Sequence, residues 1–356
     1  MLKRASFGSK ITLLIKLASK AFQARKTSGS YRKYVKNAAQ ETIHKSLMLN
    51  DGTIPHRVYS KIQWYMVEAV FMGELLANLL DYSMSKKEKE SFIYLGAVMS
   101  LFDVIIDDFK LDKKVVAEIV EYAISTDKKA VLPNETAIEK VLQLYIDKLF
   151  GMIEKERLPA FYKHLDKIRY QIQSDNQLKE NITEESVFNI TIGKGGISIL
   201  LCSALLVSGD DKFNKAMYEL GGFIQMMNDC QDIYKDTKDG ITTFVHFRKS
   251  FREIYDKLDE QRKVTFDALS ALSCSYRGRS ETIFCFNTIF IAASHKLQMY
   301  AKACDYSLDF NSIAKMDKKY FTINPYSLKA HVACLGKILR FDYNNIYKPL
   351  NFKFED

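Results

Sequence analysis

Residues 225–236 read QMMNDCQDIYKD. Asp229, Asp232 and Asp236 crowd into this stretch, and Asp239 follows, in a chain whose net charge is +9. Crowded carboxylates repel one another unless a cation lies between them. Asn228, Asp232 and Asp236 recur every fourth residue, so on an α-helix they fall within about 80° of one another. Gln225 and Lys235 come near the same face. The residues just upstream, GGFIQMM, are apolar, which points to a buried face rather than a solvated one. Oxygen donors with no His or Cys beside them suit a hard cation, and Mg²⁺ is the usual choice.

A second acidic stretch, FDVIIDDF (residues 102–109), has the same character. Asp103 and Asp107 are four apart and share a helical face, with Asp108 beside them. Leu101, Phe102, Val104, Ile105, Ile106 and Phe109 surround them. Carboxylates inside an apolar run must be paired or bind metal, because an uncompensated buried charge is too costly. Other metal sites are excluded by their ligand patterns. An EF-hand aligned on Asp239 and Gly240 would start at Lys235 and end at His246, and neither HExxH nor ExxH occurs.

Outward from these stretches the chain reads as helix. It has only 5 Pro and 15 Gly in 356 residues, sparse punctuation that favours long helices. YSKIQWYMVEAVFMGELLANLLDYSM repeats apolar residues at three- and four-residue spacing. Ser85 and Glu88 form a capping box that predicts a helix start. Another helix is expected from Asn134, and a third from Thr183 as N-cap, with Glu184 and Glu185 in its first turn. Further helices are predicted over about 250–272 and 280–304. The expectation is all-α: a basic arm over residues 1–40, then a single domain of about ten helices over residues 41–356.

Apolar residues make up 47% of the chain, enough for a large core. The six cysteines form no CxxC pair and read as thiols of a reducing compartment. No apolar run reaches the roughly 18 residues of a spanning helix, so a cytoplasmic protein is expected. Residues 1–40 hold ten Lys or Arg and no Asp or Glu, leaving the remainder nearly neutral. The arm lacks a nucleic-acid reader motif, and no nucleic-acid partner is expected. Its short amphipathic run ITLLIKLASKAF suits peripheral association with an anionic membrane; the alternative is a solubilising tail.

The two acidic stretches together resemble those of class I isoprenoid synthases. DVIIDD and QMMNDCQDIYKD match the DxxxDD and NxxxDxxxD spacing of squalene- and phytoene-synthase-like proteins. The second is similar to the [ND]Dxx[ST]xxxE motif of terpene cyclases, with Asp232 in place of Ser/Thr and Asp236 in place of Glu. TIGKGGISILL resembles a KGG segment of large bacterial terpene synthases of the tetraprenyl-β-curcumene type. The resemblance implies a class I isoprenoid-synthase-like helical bundle in which the two motifs lie on facing helices. There Asp103, Asp107, Asp108, Asn228, Asp232 and Asp236 would hold three Mg²⁺ ions. Lys194, Lys235, Arg248 and Gln225 would meet the diphosphate of a prenyl substrate. Gly193, Gly195 and Gly196 either kink their helix toward substrate or allow close helix packing.

The implied activity is that of a terpene synthase: Mg²⁺-assisted ionisation of an allylic prenyl diphosphate and cyclisation to a hydrocarbon or alcohol, with Asp103, Asp107 and Asp232 as the catalytic carboxylates. A prenyl-coupling transferase and a non-catalytic prenyl-lipid-binding protein are the alternatives. Trp64, Tyr65, Phe71 and Phe102 are the aromatic residues considered for cation stabilisation. The sequence departs from the family in lacking a DDxxD first motif, a diphosphate-sensing Arg upstream of the second motif, for which Arg169 is the nearest candidate, and a C-terminal Arg-Tyr pair, for which Arg340 and Tyr343 are imperfect substitutes. Arg57 and Lys61 are the basic residues available for a second diphosphate.

Overall fold

Ser85 accepts a hydrogen bond from the Glu88 amide, and the Glu88 carboxylate takes the Ser85 amide in return. That reciprocal cap opens the helix leading to the first acidic stretch, as its sequence predicts. A computed structural model describes residues 29–109, 113–125, 136–168, 177, 181–317 and 352–354. These residues are helices and loops, with no strand among them, so the fold is all-α. Chain contacts divide it into two compact units.

The first unit holds α1 (29–38), α2 (Gln40–Met48), α3 (His56–Leu79), α4 (Lys86–Asp103), α5 (Lys113–Ile124), α6 (Ala137–Met152) and α7 (Leu158–Leu165). Residues 29–38, counted with the basic arm on sequence, are helical, and Val35 and Ala39 are buried. α6 is capped by Thr136 and Glu139, two residues beyond the expected start at Asn134, which lies outside the described residues. Thr136 wins because its hydroxyl has Glu139 three residues on, completing a capping box. α4 packs against α3 and α6. At the α3–α4 crossing a Cβ on Gly96 would lie 2.5 Å from the Tyr65 carbonyl oxygen, so the two backbones touch.

Residues 184–196 of α8 (Glu184–Ala204) belong to the second unit, and residues 197–204 to the first. Thr183 caps α8 through the Ser186 amide, as expected. By length and composition α8 would suffice to cross a bilayer, longer than any run recognised on sequence. Even so, 78% of its most apolar window is buried within the protein, as in a core helix. The second unit continues with α9 (Asp211–Gln231), α10 (Ile233–Asp239), a 3₁₀ turn (Phe244–Phe247), α11 (Phe251–Ser270), α12 (Tyr276–Ala303) and α13 (Phe310–Lys315). α9 packs on α11 and α12, and α10 on α13. The fully buried Arg262 pairs with Asp259 at 2.6 Å and lies 4.9 Å from the Phe290 ring centroid. Pairing of this kind is what makes a buried guanidinium tolerable.

α8 and α9 meet glycine to glycine. A Cβ on Gly195 would sit 2.1 Å from the Gly221 carbonyl oxygen, and one on Gly221 equally close to that of Gly195. Gly196 receives the ring of Tyr218. Of the two readings of the KGG glycines, this contact answers to close packing; α8 runs unbroken through them. Gly195→Ala should therefore destabilise the protein by about 1–3 kcal/mol, lowering the melting temperature by several degrees. Gly151→Ala in α6, where nothing lies within 4 Å, should hold or raise it.

Candidate active site

The acidic segment of the second unit is not one continuous helix. α9 ends at Gln231, Asp232 adopts φ −103°, ψ 12°, and α10 begins at Ile233. The turn spacing nevertheless survives the break. The Asp232 amide donates to the Asn228 carbonyl at 2.9 Å, and the Asp236 amide to the Asp232 carbonyl at 2.8 Å. Asn228, Asp232 and Asp236 thus remain one turn apart. Asn228 is exposed, Asp232 half-buried and Asp236 buried. Gly240, at φ 71°, terminates α10, a left-handed conformation that glycine adopts without a Cβ clash.

The helix breaks because its ladder is intercepted from α12. The Gln231 carbonyl accepts a hydrogen bond from Lys296 Nζ at 2.5 Å and another from Tyr300 Oη at 3.1 Å. Tyr300 Oη in turn lies 3.4 Å from the Tyr234 amide, which donates to it. A side chain inserted into the i→i−4 ladder is a recognised cause of a kink. Lys296 is also close enough to Asp232 to feel its charge.

Asp229 stands apart from its neighbours. It is buried, accepting from Thr191 Oγ1 at 3.1 Å and Gln225 Nε2 at 2.9 Å. Burial pushes its carboxyl up to about 6, with both hydrogen bonds and nearby Lys194 restraining the rise. Gln225, expected to meet diphosphate, is thus engaged with Asp229. The Gly195–Gly221 contact sets the part of α8 carrying Thr191 and Lys194 against α9. Lys235 is exposed beside Asp236. Arg248, also expected to meet diphosphate, is ion-paired with Glu184. For Asp236, burial and the charges of Asp229 and Asp232 push the carboxyl up to about 8.

In the other unit, α4 ends at Asp103 and a π-helical turn spans Val104–Asp108, closed by the Phe109 amide on the Val104 carbonyl at 3.0 Å. The regular four-residue register expected to align Asp103 with Asp107 is therefore interrupted: the wider i→i+5 turn brings the backbone of residue 108, five on, back toward residue 103. π-turns of this kind are frequent at functional sites. Tyr65 Oη donates to Asp103 at 2.7 Å. The side chains of Asp107 and Asp108 lie outside the described residues, as do Arg169, Arg340 and Tyr343.

Along α4, the two turns before Asp103 carry Leu95, Val98, Met99 and Phe102, which line an apolar cavity with Phe161 and Leu201 among others. Its volume of ≈ 20 Å³ is room for about one water. Of the aromatic residues considered on sequence, Phe102 lines this cavity and Tyr65 binds Asp103. Trp64, 49% exposed under Arg32, and Phe71, 37% exposed, face outward instead.

Among the described residues no three His, Cys, Asp or Glu side chains converge as a ready metal nest. The Asn228–Asp236 turn nonetheless offers the donors a hard cation takes: one amide and two carboxylates, all oxygen. Burial first, and then its acidic neighbours, disfavour the charged form of Asp236, and a nearby cation would favour it. Sequence reasoning missed Lys296, Tyr300 and the part played by Tyr65. The i, i+4 spacing of Lys296 and Tyr300 was visible, but the carbonyl they meet lies far along the chain.

No family model matches the sequence, and no curated protein does. Among solved structures, a geranyltransferase from Legionella pneumophila is similar over 75% of this chain and 99% of that one, at 15% identity and a TM-score of 0.42.

Asp236 gives the cation-free protein a distinct pH dependence. Its folded value of about 8 exceeds the ordinary 3.8, so the folded state holds a proton that the unfolded chain loses. The Asp236 contribution is thus fully present below about pH 4 and declines as pH rises to about 8. In chelator, the melting temperature of Asp236→Asn should fall less than that of wild type between pH 6 and 8. Millimolar Mg²⁺ should raise the wild-type value more at pH 8 than at pH 5.

Proposed function

We propose that this chain is an enzyme of the class I isoprenoid-synthase type, acting on an allylic prenyl diphosphate as a terpene cyclase. The observation that carries the reading is the Asn228–Asp236 turn: a half-buried Asp232 and a buried Asp236 at one-turn spacing, Asp236 raised by burial and then by its acidic neighbours, with Lys194, Lys235 and Lys296 around them. A turn of this composition suits cations that in turn bind a polyanion. In the proposed enzyme Asn228, Asp232 and Asp236 would hold Mg²⁺, and the family resembled implies the same role for Asp103, Asp107 and Asp108 and three ions in all. When bound, Mg²⁺ neutralises the diphosphate so that it can leave.

The protein's own groups then do the rest. Lys194 and Lys235 contribute positive charge toward the diphosphate. Asp229 keeps Lys194 close to the turn, and Tyr65 fixes the orientation of the Asp103 carboxylate. The apolar residues of α4 before Asp103 are the proposed lining for hydrocarbon, which would exclude water from a carbocation; the ≈ 20 Å³ cavity they line would have to open to take a prenyl chain. The Phe102 ring presents a quadrupole to positive charge. Residues 1–40 hold the protein at an anionic membrane surface, where prenyl substrates partition.

A second reading, a prenyl-coupling transferase, is favoured by one specific feature. Arg57, Lys61 and Tyr65 follow one another at four-residue spacing on α3. Lys61 Nζ lies 5.8 Å from the Tyr65 ring centroid, and Tyr65 binds Asp103. This line of cations could serve a second diphosphate.

One experiment separates the readings. The protein is incubated with a panel of allylic diphosphates and Mg²⁺, with and without isopentenyl diphosphate, and the extract is resolved by gas chromatography with mass spectrometry. A cyclase gives a product of unchanged carbon number from one substrate. A product that needs isopentenyl diphosphate, or carries twice the carbons, establishes the coupling reading. Release of no diphosphate from any substrate rejects both. Asp103→Asn and Asp232→Asn should each lower turnover tenfold or more while the helical circular dichroism is retained.

A further inference from the structure

We infer that Lys296 and Tyr300 are positioning residues for the cation site of the Asn228–Asp236 turn. The inference rests on the reading of that turn as a Mg²⁺ site and adds what gives it its shape. In an uninterrupted helix the Gln231 carbonyl would accept from the residue 235 amide. A carbonyl oxygen has two lone pairs, and here Lys296 Nζ and Tyr300 Oη take it at 2.5 and 3.1 Å.

The Tyr300 hydroxyl also accepts from the Tyr234 amide at 3.4 Å. It is therefore spliced into the ladder between the end of α9 and the start of α10. The two side chains stand one turn apart on α12, a 28-residue helix packed against α9. The break they hold falls at Asp232, the central ligand position, between Asn228 at the end of α9 and Asp236 on α10. Its φ −103°, ψ 12° sets the angle at which the α10 carboxylate meets the α9 donors. Without the interception the segment would close into a straight helix, and Asp236 would swing relative to Asn228. Mg²⁺ demands near-ideal octahedral placement of its ligands, so its affinity responds to such a change.

The test separates position from charge. The Lys296 ammonium stands near Asp232, and electrostatics alone would have it compete with Mg²⁺. Removing it would then tighten Mg²⁺ binding, whereas loss of positioning weakens it. Tyr300→Phe changes no charge and reads geometry alone. Mg²⁺ alone is titrated into the chelator-stripped full chain by isothermal calorimetry, alongside melting curves in chelator.

The expected result is Mg²⁺ affinity weakened about tenfold or more in Lys296→Met and in Tyr300→Phe, the range for groups that orient metal ligands. Lys296→Arg, which keeps a donor, should recover most of it. Equal or tighter Mg²⁺ binding in both variants, with or without a lower melting temperature, overturns the positioning role while leaving the site itself intact. Wild-type protein that takes up no Mg²⁺ at millimolar concentration overturns the metal reading and this inference with it.

Discussion

The acidic turn depends on where one backbone carbonyl finds its hydrogen bonds. Were the Gln231 oxygen bonded within its own helix, α9 and α10 would be a single rod and the acidic residues a plain stripe. Because Lys296 and Tyr300 hold it, the helix is interrupted at Asp232, which separates α9 from α10. Two of the groups freed at the break are satisfied from α12: Tyr300 takes the Tyr234 amide as it gives to the Gln231 carbonyl. A buried break without those partners would leave orphaned polar groups, each costing about 1–3 kcal/mol.

A second constraint places the other side of the turn. The backbone contact of Gly195 with Gly221 sets α8 against α9, and that brings Thr191 onto Asp229 and Lys194 into its field. Asp229 is thereby anchored and Asp236 is not. For Asp229 two hydrogen bonds and a lysine offset burial, while Asp236 has only the exposed Lys235 against three acidic neighbours. Two carboxylates of one segment so differ: Asp229 is held by hydrogen bonds within the protein, and Asp236 is the one proposed to take a cation.

Helix caps were legible in the sequence because they are local. Ser85 with Glu88 and Thr183 with Ser186 are decided within three residues. The start of α6 was misplaced at Asn134 because Thr136 offers the more complete box with Glu139. The four-residue recurrence of Asn228, Asp232 and Asp236 was also legible, since each turn of the ladder enforces it. The break at Asp232 was not, for its cause lies on α12, some sixty-five residues away along the chain. The π-turn after Asp103 likewise departs from a pattern that reads as regular helix. Trp64 and Phe71 are candidates by position in the sequence, yet both are exposed on α3. The KGG glycines were legible as special, but only the partner Gly221 shows that packing against α9 is what they serve.

The central claim is that the Asn228–Asp236 turn is built to hold cations. Crystals of the full chain soaked with Mn²⁺ and inorganic pyrophosphate test it most directly, through the anomalous signal of the metal. The account predicts Mn²⁺ within about 2.0–2.3 Å of oxygens of Asp232 and Asp236, close to the 2.0–2.1 Å of Mg²⁺ sites, with the Gln231 carbonyl still held from α12. Ordered crystals with no manganese at this turn, and pyrophosphate bound elsewhere or not at all, would contradict it.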